Sequence, residues 1–295
     1  MQKKTPQGIK WDRILTVQLM EELNEIFIMF IRWIVSWTPL AIISLIATAI
    51  GKTNGFVEVL SALGFLSLAT CLGMVMQFLF CYCPMYFLFK RKNPLSYFKK
   101  MAPVFTLAFA SASSAATLPV TISCAVDSGE VSQGIANFSL PLGATTNMDG
   151  TSIHIVSSCI WLAYYNGIVP TPVNYFLLIF CATLGSMGAA PVPSASIVLI
   201  MTSYQTTFGG SGEPPGLGLI MAIDWLIDRF RTMTNICGDL TVAACVSGHT
   251  ERKLRELSER GDLPLAVAVA AKKLEDLEEV HEQAIDSDHQ PKPVN

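Results

Sequence analysis

Asp224, Asp228, Arg231, Asn235 and Asp239 recur at spacings of four, three, four and four inside an apolar run from Leu219 to Val246. At about 100° per residue these groups fall in one narrow wedge of a helix whose opposite face carries no charge. An ionisable group at membrane depth is costly and faces a partner, a cavity or a transported ion. Two readings stay open: a binding site for charged solutes inside a membrane, or an intramembrane salt bridge that only fixes packing. Asp149, within Thr145-Thr146-Asn147-Met148-Asp149-Gly150-Thr151, adds a hard oxygen ligand suited to a small cation.

The elements that must position these groups are those of a multispanning protein. The 295 residues are 51% hydrophobic and 15% charged, with a mean hydropathy of +0.45, whereas an ordinary soluble domain is about 25% charged. Between Lys100 and Arg229 there is no Lys or Arg. Basic residues gather instead at Lys3, Lys4, Lys10 and Arg13, at Lys90 to Lys92 with Lys99 and Lys100, and at Arg252, Lys253 and Arg255. The positive-inside rule places these clusters, and hence both termini, in the cytoplasm. The net charge of -3 is segregated into ends and loops and does not point to nucleic acid. All eight cysteines lie in apolar stretches and read as small buried hydrophobes; Cys81-Tyr82-Cys83 has neither redox nor zinc spacing. No cleavable signal follows the basic start, and Asn137-Phe138-Ser139 sits at the start of an apolar segment, which argues against glycosylation.

Ile26 to Ile50 is long enough to cross a bilayer of about 30 Å, and Val57 to Phe89 forms a second span ended by Lys90-Arg91-Lys92. Pro103 to Ala110 is too short to span and runs through a hydroxyl-rich stretch, Ser111 to Pro119, into Val120 to Val126. That pattern fits a re-entrant hairpin, or a kinked helix whose small residues allow close packing. Ile135 to Ala144 is broken by the Asn, Asp and Gly of the Thr145–Thr151 stretch before Ile153 to Tyr165 resumes, which predicts an unwound span with carbonyls free for cations. Tyr175 to Leu184, Gly185 to Ser194 and Ala195 to Met201 repeat the half-helix, tip and half-helix pattern. Paired interrupted segments in corresponding positions point to a transporter's midplane site. After Val246 the chain turns soluble in character.

At SSAATLPVT (Ser113 to Thr121), LPLGATTNMDGT (Leu140 to Thr151), SMGAAPVP (Ser186 to Pro193) and DWLIDRFRTMTNICGD (Asp224 to Asp239) the chain resembles the dicarboxylate/amino acid:cation symporter family, the glutamate/aspartate transporters. The resemblance implies an all-α membrane protein with two re-entrant helical hairpins and an unwound transmembrane helix. Its parts would be a cytoplasmic segment 1–22, a scaffold-type helix 23–52, a transport domain 56–250 and a cytoplasmic tail 251–295. Within the transport domain lie hairpin 1 at about 94–129, the broken helix at about 131–166, hairpin 2 at about 172–208 and the ionic helix at about 215–248. It implies sodium-coupled symport of an acidic amino acid by an elevator-type movement, with sodium as the co-transported ion, no organic cofactor and no enzymatic activity. The setting would be a lipid bilayer, the plasma membrane, and a homotrimer once the family's first four helices, which have no counterpart in this chain, are supplied.

By the same resemblance, Arg231 pairs with the substrate's side-chain carboxylate, to which its planar fork is suited, and Thr151 adds a hydrogen bond. Asp228 and Thr232 hold the α-amino group. Asn235, Ser113 and Ser114, and backbone N–H groups at the tips, with Ala190 at the second, hold the α-carboxylate. Asp224 steadies Arg231. One sodium falls to Gly143, Asn147, Asn235 and Asp239, another to Asn147 and Asp149, and a third to Thr145, Met148, Ser186 and Met187, largely through carbonyls. Arg229 lies off the stripe, within reach of the first tip.

Departures from the family pattern are Ala112 and Ala115 at the first tip, Pro191, Ser194 and Ser196 at the second, and His154-Ile155 in place of Tyr-Glu, which removes the usual proton-carrying carboxylate. His154 reads either as a titrating substitute or as a satisfied packing residue. Competing functions are a truncated non-transporting or anion-conducting partner of full-length subunits, a dicarboxylate or neutral amino acid carrier of the same family, and an intramembrane hydrolase. The last lacks a Ser/Lys or paired Gly-Asp arrangement.

Overall fold

The computed structural model describes residues 56–260 continuously, together with scattered positions between 18 and 44. The expected span over 23–52 therefore lies largely outside the described residues, as do the tail beyond 260 and most of the N-terminal segment. The described residues are helical, with no strand among them. The first run is α1 (Phe56–Gln77), a π-helical turn (Phe78–Tyr82) and α2 (Cys83–Lys90). Then come α3 (Pro94–Lys100), α4 (Ala102–Ser111) and α5 (Ser114–Asp127). They are followed by α6 (Gln133–Thr146), α7 (Asp149–Tyr165), α8 (Pro172–Met187), α9 (Ser196–Phe208) and α10 (Leu217–Glu259). α10 outruns the apolar stretch that suggested it, carrying on through the charged residues after Val246.

Local chemistry sets these boundaries. Asn93 accepts from the Leu95 N–H and Pro94 follows at the first helical position, where its missing donor is harmless. Thr171 and Asn174 form a reciprocal capping box with Pro172 at the same position. α4 stops where Ala112 turns left-handed at φ 49°, and Ser113 starts α5 by accepting from the Ala116 N–H. Between α6 and α7, Asn147 and Met148 leave helical geometry at φ/ψ -104/79° and -112/62°.

α10 is the hub, packed against α1, α2, α4, α5, α6 and α7, while α7 also contacts α1, α8 and α9. Two buried apolar clusters result. One gathers Tyr86, Tyr97, Met101, Leu140 and Leu240, the other Leu66, Ile155, Leu162, Leu178, Ile200 and Ile220. The polar stripe of α10 lies between Ile220 and Leu240, at the seam of the two.

The exterior is apolar: Phe65 is 71% exposed, Phe80 74%, Phe138 73% and Phe176 74%. Such a surface belongs in hydrocarbon. Of the described helices, Leu60–Lys90 is long and apolar enough to cross a membrane. In lipid, apolar burial between helices gains little, so cohesion rests on close packing and interhelical hydrogen bonds of about 0.6 kcal/mol each. Thr70 Oγ1 bonds Ser157 Oγ at 2.8 Å, Tyr97 donates to Leu240 O at 3.1 Å and Trp161 to Ala62 O at 3.2 Å. Gly73 lets α1 approach α7, since a Cβ there would meet Ile153 Cγ2 at 3.1 Å. The cysteines correct the sequence expectation. All are free, but only Cys159, Cys237 and Cys245 are buried, and Cys81 is exposed on the apolar exterior.

Candidate functional site

The α10 stripe is buried along its length, with Asp224, Asp228, Arg231, Thr232, Asn235 and Asp239 each 5% exposed or less. Arg231 bonds Asp228 Oδ1 through Nη2 and the Ser196 hydroxyl through Nη1. Its Nη1 also lies 3.4 Å from His154 Nδ1 and 3.9 Å from Asp224 Oδ1, which puts Asp224 on the guanidinium's second side. The guanidinium is thus shared among α7, α9 and α10.

Both interrupted segments reach this point. The Ser194 N–H donates to Asp228 Oδ2 at 2.9 Å, and the Ser113 hydroxyl donates to Pro191 O at 2.8 Å, tying the two tips together. The break between α6 and α7 closes the third side. Asn235 Oδ1 accepts from the Gly150 N–H at 2.8 Å and Asn235 Nδ2 donates to Thr151 Oγ1 at 3.4 Å. Gly150 must be glycine because a Cβ would meet Arg231 O at 2.7 Å. The partly open cavity has about 10 Å³ of room and is lined by both tips, Met148, Thr151, Ser196 and the α10 residues from Asp228 to Asn235. That is about one water's room.

Each expected substrate contact can be located. Ser114, Thr151, Ala190, Asp228, Arg231, Thr232 and Asn235 line this cavity. Ser113 lies beside it, engaged by Pro191, and the Thr232 hydroxyl is turned to Asp228 O at 2.8 Å in its own helix.

One helical turn further along α10 a second polar cluster forms. Asn147 Nδ2 donates to Asp239 Oδ1 at 3.1 Å, and a Cβ on Gly143 would meet that oxygen at 2.5 Å. Gly143, Asn147 and Asp239 are thus brought together, with Asn235 on the same helix face. The Tyr82 hydroxyl donates to Asp149 Oδ2 at 2.7 Å. A Cβ on Gly238 would meet Asn147 Nδ2 at 2.7 Å and Asp149 Oδ2 at 3.3 Å, so Asp149 belongs to the same neighbourhood. These are hard oxygen donors of the kind small cations prefer. Among the described residues no group of three or more His, Cys, Asp or Glu could hold a metal. Of the third expected set, Thr145 and Met187 are exposed and Met148 and Ser186 buried, and the hydroxyls of Thr145 and Ser186 bond Leu142 O and Thr183 O in their own helices, which leaves carbonyls as the donors expected there.

Sequence reasoning missed Tyr82 and assigned no role to the Ser196 hydroxyl. Tyr82 is 2% exposed, at the end of the π turn and in the same buried row as Thr70, Met74 and Tyr86. Its spacing of four from Tyr86 was the available signal. His154 is fully buried, with Nδ1 facing Arg231, Ser196 and Asp224 and with Nε2 lacking a hydrogen-bond partner. Arg229 leaves the stripe and donates to Phe109 O at 2.5 Å and Ala110 O at 3.1 Å, the last carbonyls of α4.

Residues 7–249 match the sodium:dicarboxylate symporter family. The chain is 35% identical to human excitatory amino acid transporter 5 over 231 residues, 78% of this chain and 40% of that protein. It is 35% identical to mouse excitatory amino acid transporter 2 over 225 residues, 76% and 39% of the two. Human neutral amino acid transporter A is 31% identical over 245 residues, 83% and 45%. The chain thus spans about two fifths of the length of the curated relatives it matches. On the strength of these matches and the buried charge stripe they contain, the chain belongs to the sodium:dicarboxylate symporter family, whose members are membrane transporters.

Proposed function

We propose that the chain takes part in sodium-coupled symport of an acidic amino acid, with Arg231 as the group that holds the substrate's second carboxylate. The observation that carries this reading is the position of a buried guanidinium at the meeting point of both tips and the α6–α7 break. A planar fork suits a bidentate carboxylate, and Asp228 beside it suits an α-amino group. Ser113, Ser114, Thr151, Ala190, Thr232 and Asn235 complete the substrate's contacts in this reading. Gly143, Asn147, Asp149, Asn235 and Asp239 hold sodium, and Thr145, Met148, Ser186 and Met187 supply a third ion site, largely through carbonyls.

In the same proposal α4–α5 and α8–α9 are re-entrant hairpins, and α6–α7 is one transmembrane helix unwound at Asn147 and Met148. Residues 56–250 form the moving domain of an elevator, between a cytoplasmic segment 1–22 with a scaffold-type helix 23–52 and a cytoplasmic tail 251–295. The assembly is a plasma-membrane homotrimer with cytoplasmic termini and four further helices per subunit. Each positive charge carried inward supplies about 2.3 kcal/mol per 100 mV, so excess sodium drives accumulation.

One observation favours a second reading. Arg231, Asp228 and Ser196 satisfy one another around a cavity of about 10 Å³, as a pair that only fixes packing would. That arrangement suits a non-transporting or anion-conducting partner. Uptake of radiolabelled aspartate into proteoliposomes separates the two. A sodium gradient drives uptake in the first reading, and Arg231→Cys lowers it roughly a hundredfold, the worth of a charge-assisted pair. Absence of sodium-driven uptake by the chain leaves the second, and uptake that survives Arg231→Cys overturns the role given to Arg231.

A further inference from the structure

At the basic end of the molecule the C-terminal end of α2 and residues 242–252 of α10 border an open cleft with two chemically different halves. The polar half is a cavity of about 530 Å³ lined by Lys90, Arg91, Lys92, Gly248, Glu251 and Arg252, with Phe89 at its edge. The apolar half, about 370 Å³, is lined by Met85, Val242, Cys245, Val246 and His249, and shares Phe89. Phe89 joins the two into one continuous surface.

The geometry is built from the backbone outward. The chain leaves α2 at Arg91, which turns left-handed at φ 54° and bunches three consecutive cations at the helix end. Gly248 allows α10 to lie against them, since a Cβ there would meet Lys90 Cδ at 2.9 Å. Arg252 Nη2 donates to Phe89 O at 2.9 Å and fixes the other wall. Lys90 and Lys92 share the single carboxylate of Glu130, at 3.5 and 2.7 Å. Glu251 is engaged by the Ser247 hydroxyl at 2.9 Å. Four cations therefore face two carboxylates, and the cavity keeps a positive excess that calls for an anion. Directly beside it, Phe89 (43% exposed), Val242 (41%) and Val246 (44%) present a groove that calls for hydrocarbon.

We propose that this cleft binds one anionic phospholipid, with its phosphate in the basic cavity and an acyl chain along the groove between α2 and α10. A lone phosphate would use only the first half, and a neutral lipid only the second. An anionic lipid satisfies both, and basic pockets between membrane helices have this recognition chemistry. The inference rests on the membrane setting of the family and is independent of the substrate assignment.

The test is native mass spectrometry of the full chain in detergent, titrated with phosphatidylserine, with phosphatidylcholine of the same acyl chains, and with glycerophosphoserine as a headgroup-only probe. One phosphatidylserine is expected to bind more tightly than phosphatidylcholine. Arg91→Gln should weaken it about fivefold, the usual worth of one cation near an anionic headgroup. Val242→Trp, which fills the groove without touching a charge, should weaken both lipids. Equal binding of the two lipids overturns the proposal, as does binding unchanged by either variant or competition by glycerophosphoserine at the lipid's own concentration. Aspartate uptake plays no part in this readout, so the two proposals fail separately.

Discussion

The break between α4 and α5 and the break between α8 and α9 reach the same cavity but are held in opposite ways. At the first, the chain turns in two residues, Ala112 and Ser113: Ser113 caps α5, Arg229 of α10 takes up the carbonyls of Phe109 and Ala110 from outside the cavity, and the Ser113 hydroxyl reaches Pro191 O of the second tip. At the second, eight residues from Gly188 to Ala195 separate the helices. Pro191 and Pro193 remove donors. This tip leans instead on Asp228 through the Ser194 N–H, on Arg231 through Ser196, and on Ser113 through Pro191 O. A tip anchored mainly by an arginine outside the cavity should respond less to what the cavity holds. A tip stabilised by the cavity's charges must respond when a charged guest takes them.

The contrast can be broken most severely at Asp228. Asp228→Asn removes the buried partner of Arg231 and weakens the acceptor of the Ser194 N–H. Breaking such a pair costs about 3–5 kcal/mol. A large drop in unfolding temperature in detergent, with new proteolytic cleavage within 188–195 and none at 112–113, is the expected result; cleavage at both tips would erase the distinction. Next comes Gly143→Ala, where the added methyl would meet Asp239 Oδ1 at 2.5 Å. Overpacking of this kind costs about 1–3 kcal/mol, and half-maximal uptake should need more sodium. Gly134→Ala, with nothing within 4 Å of its Cβ, is the control and should behave as the parent.

Ser196→Gly sharpens the comparison at smaller cost. It frees one arm of Arg231, should destabilise by about 1 kcal/mol, and should raise apparent aspartate affinity, because the substrate no longer competes with the hydroxyl. Unchanged or weaker affinity would remove Ser196 from the account. The smallest effect is expected at Arg229→Gln, about 0.5–1 kcal/mol for a partly solvated cation. Its loosening should be confined to 108–113, read by amide hydrogen exchange.

The α10 stripe was legible because a helix repeats every 3.6 residues and all five groups project from one element. The three interruptions were legible from Pro, Gly, Asn and hydroxyl residues set inside apolar runs too short or too polar to continue. Contacts between elements were not. Ser196 meets Arg231 across 35 positions and Tyr82 meets Asp149 across 67, and no periodicity reports which tip faces which helix. The spacing in fours among Thr70, Met74, Tyr82 and Tyr86 marks an inward row, but not that the Tyr82 hydroxyl would find Asp149. The cysteines misled for a related reason: apolar character marks burial in a soluble fold, whereas in lipid it marks the outside equally well.

On the proposed function, the second tip is held by the same charges that take up the substrate. The direct measurement is amide hydrogen exchange across 188–196 in the purified protein, with sodium alone and with sodium plus aspartate. Aspartate should change protection most at 188–196 and at 147–151, much less at 108–113, and have no effect in Arg231→Cys. Identical exchange with and without aspartate, or equal changes at both tips, would contradict it.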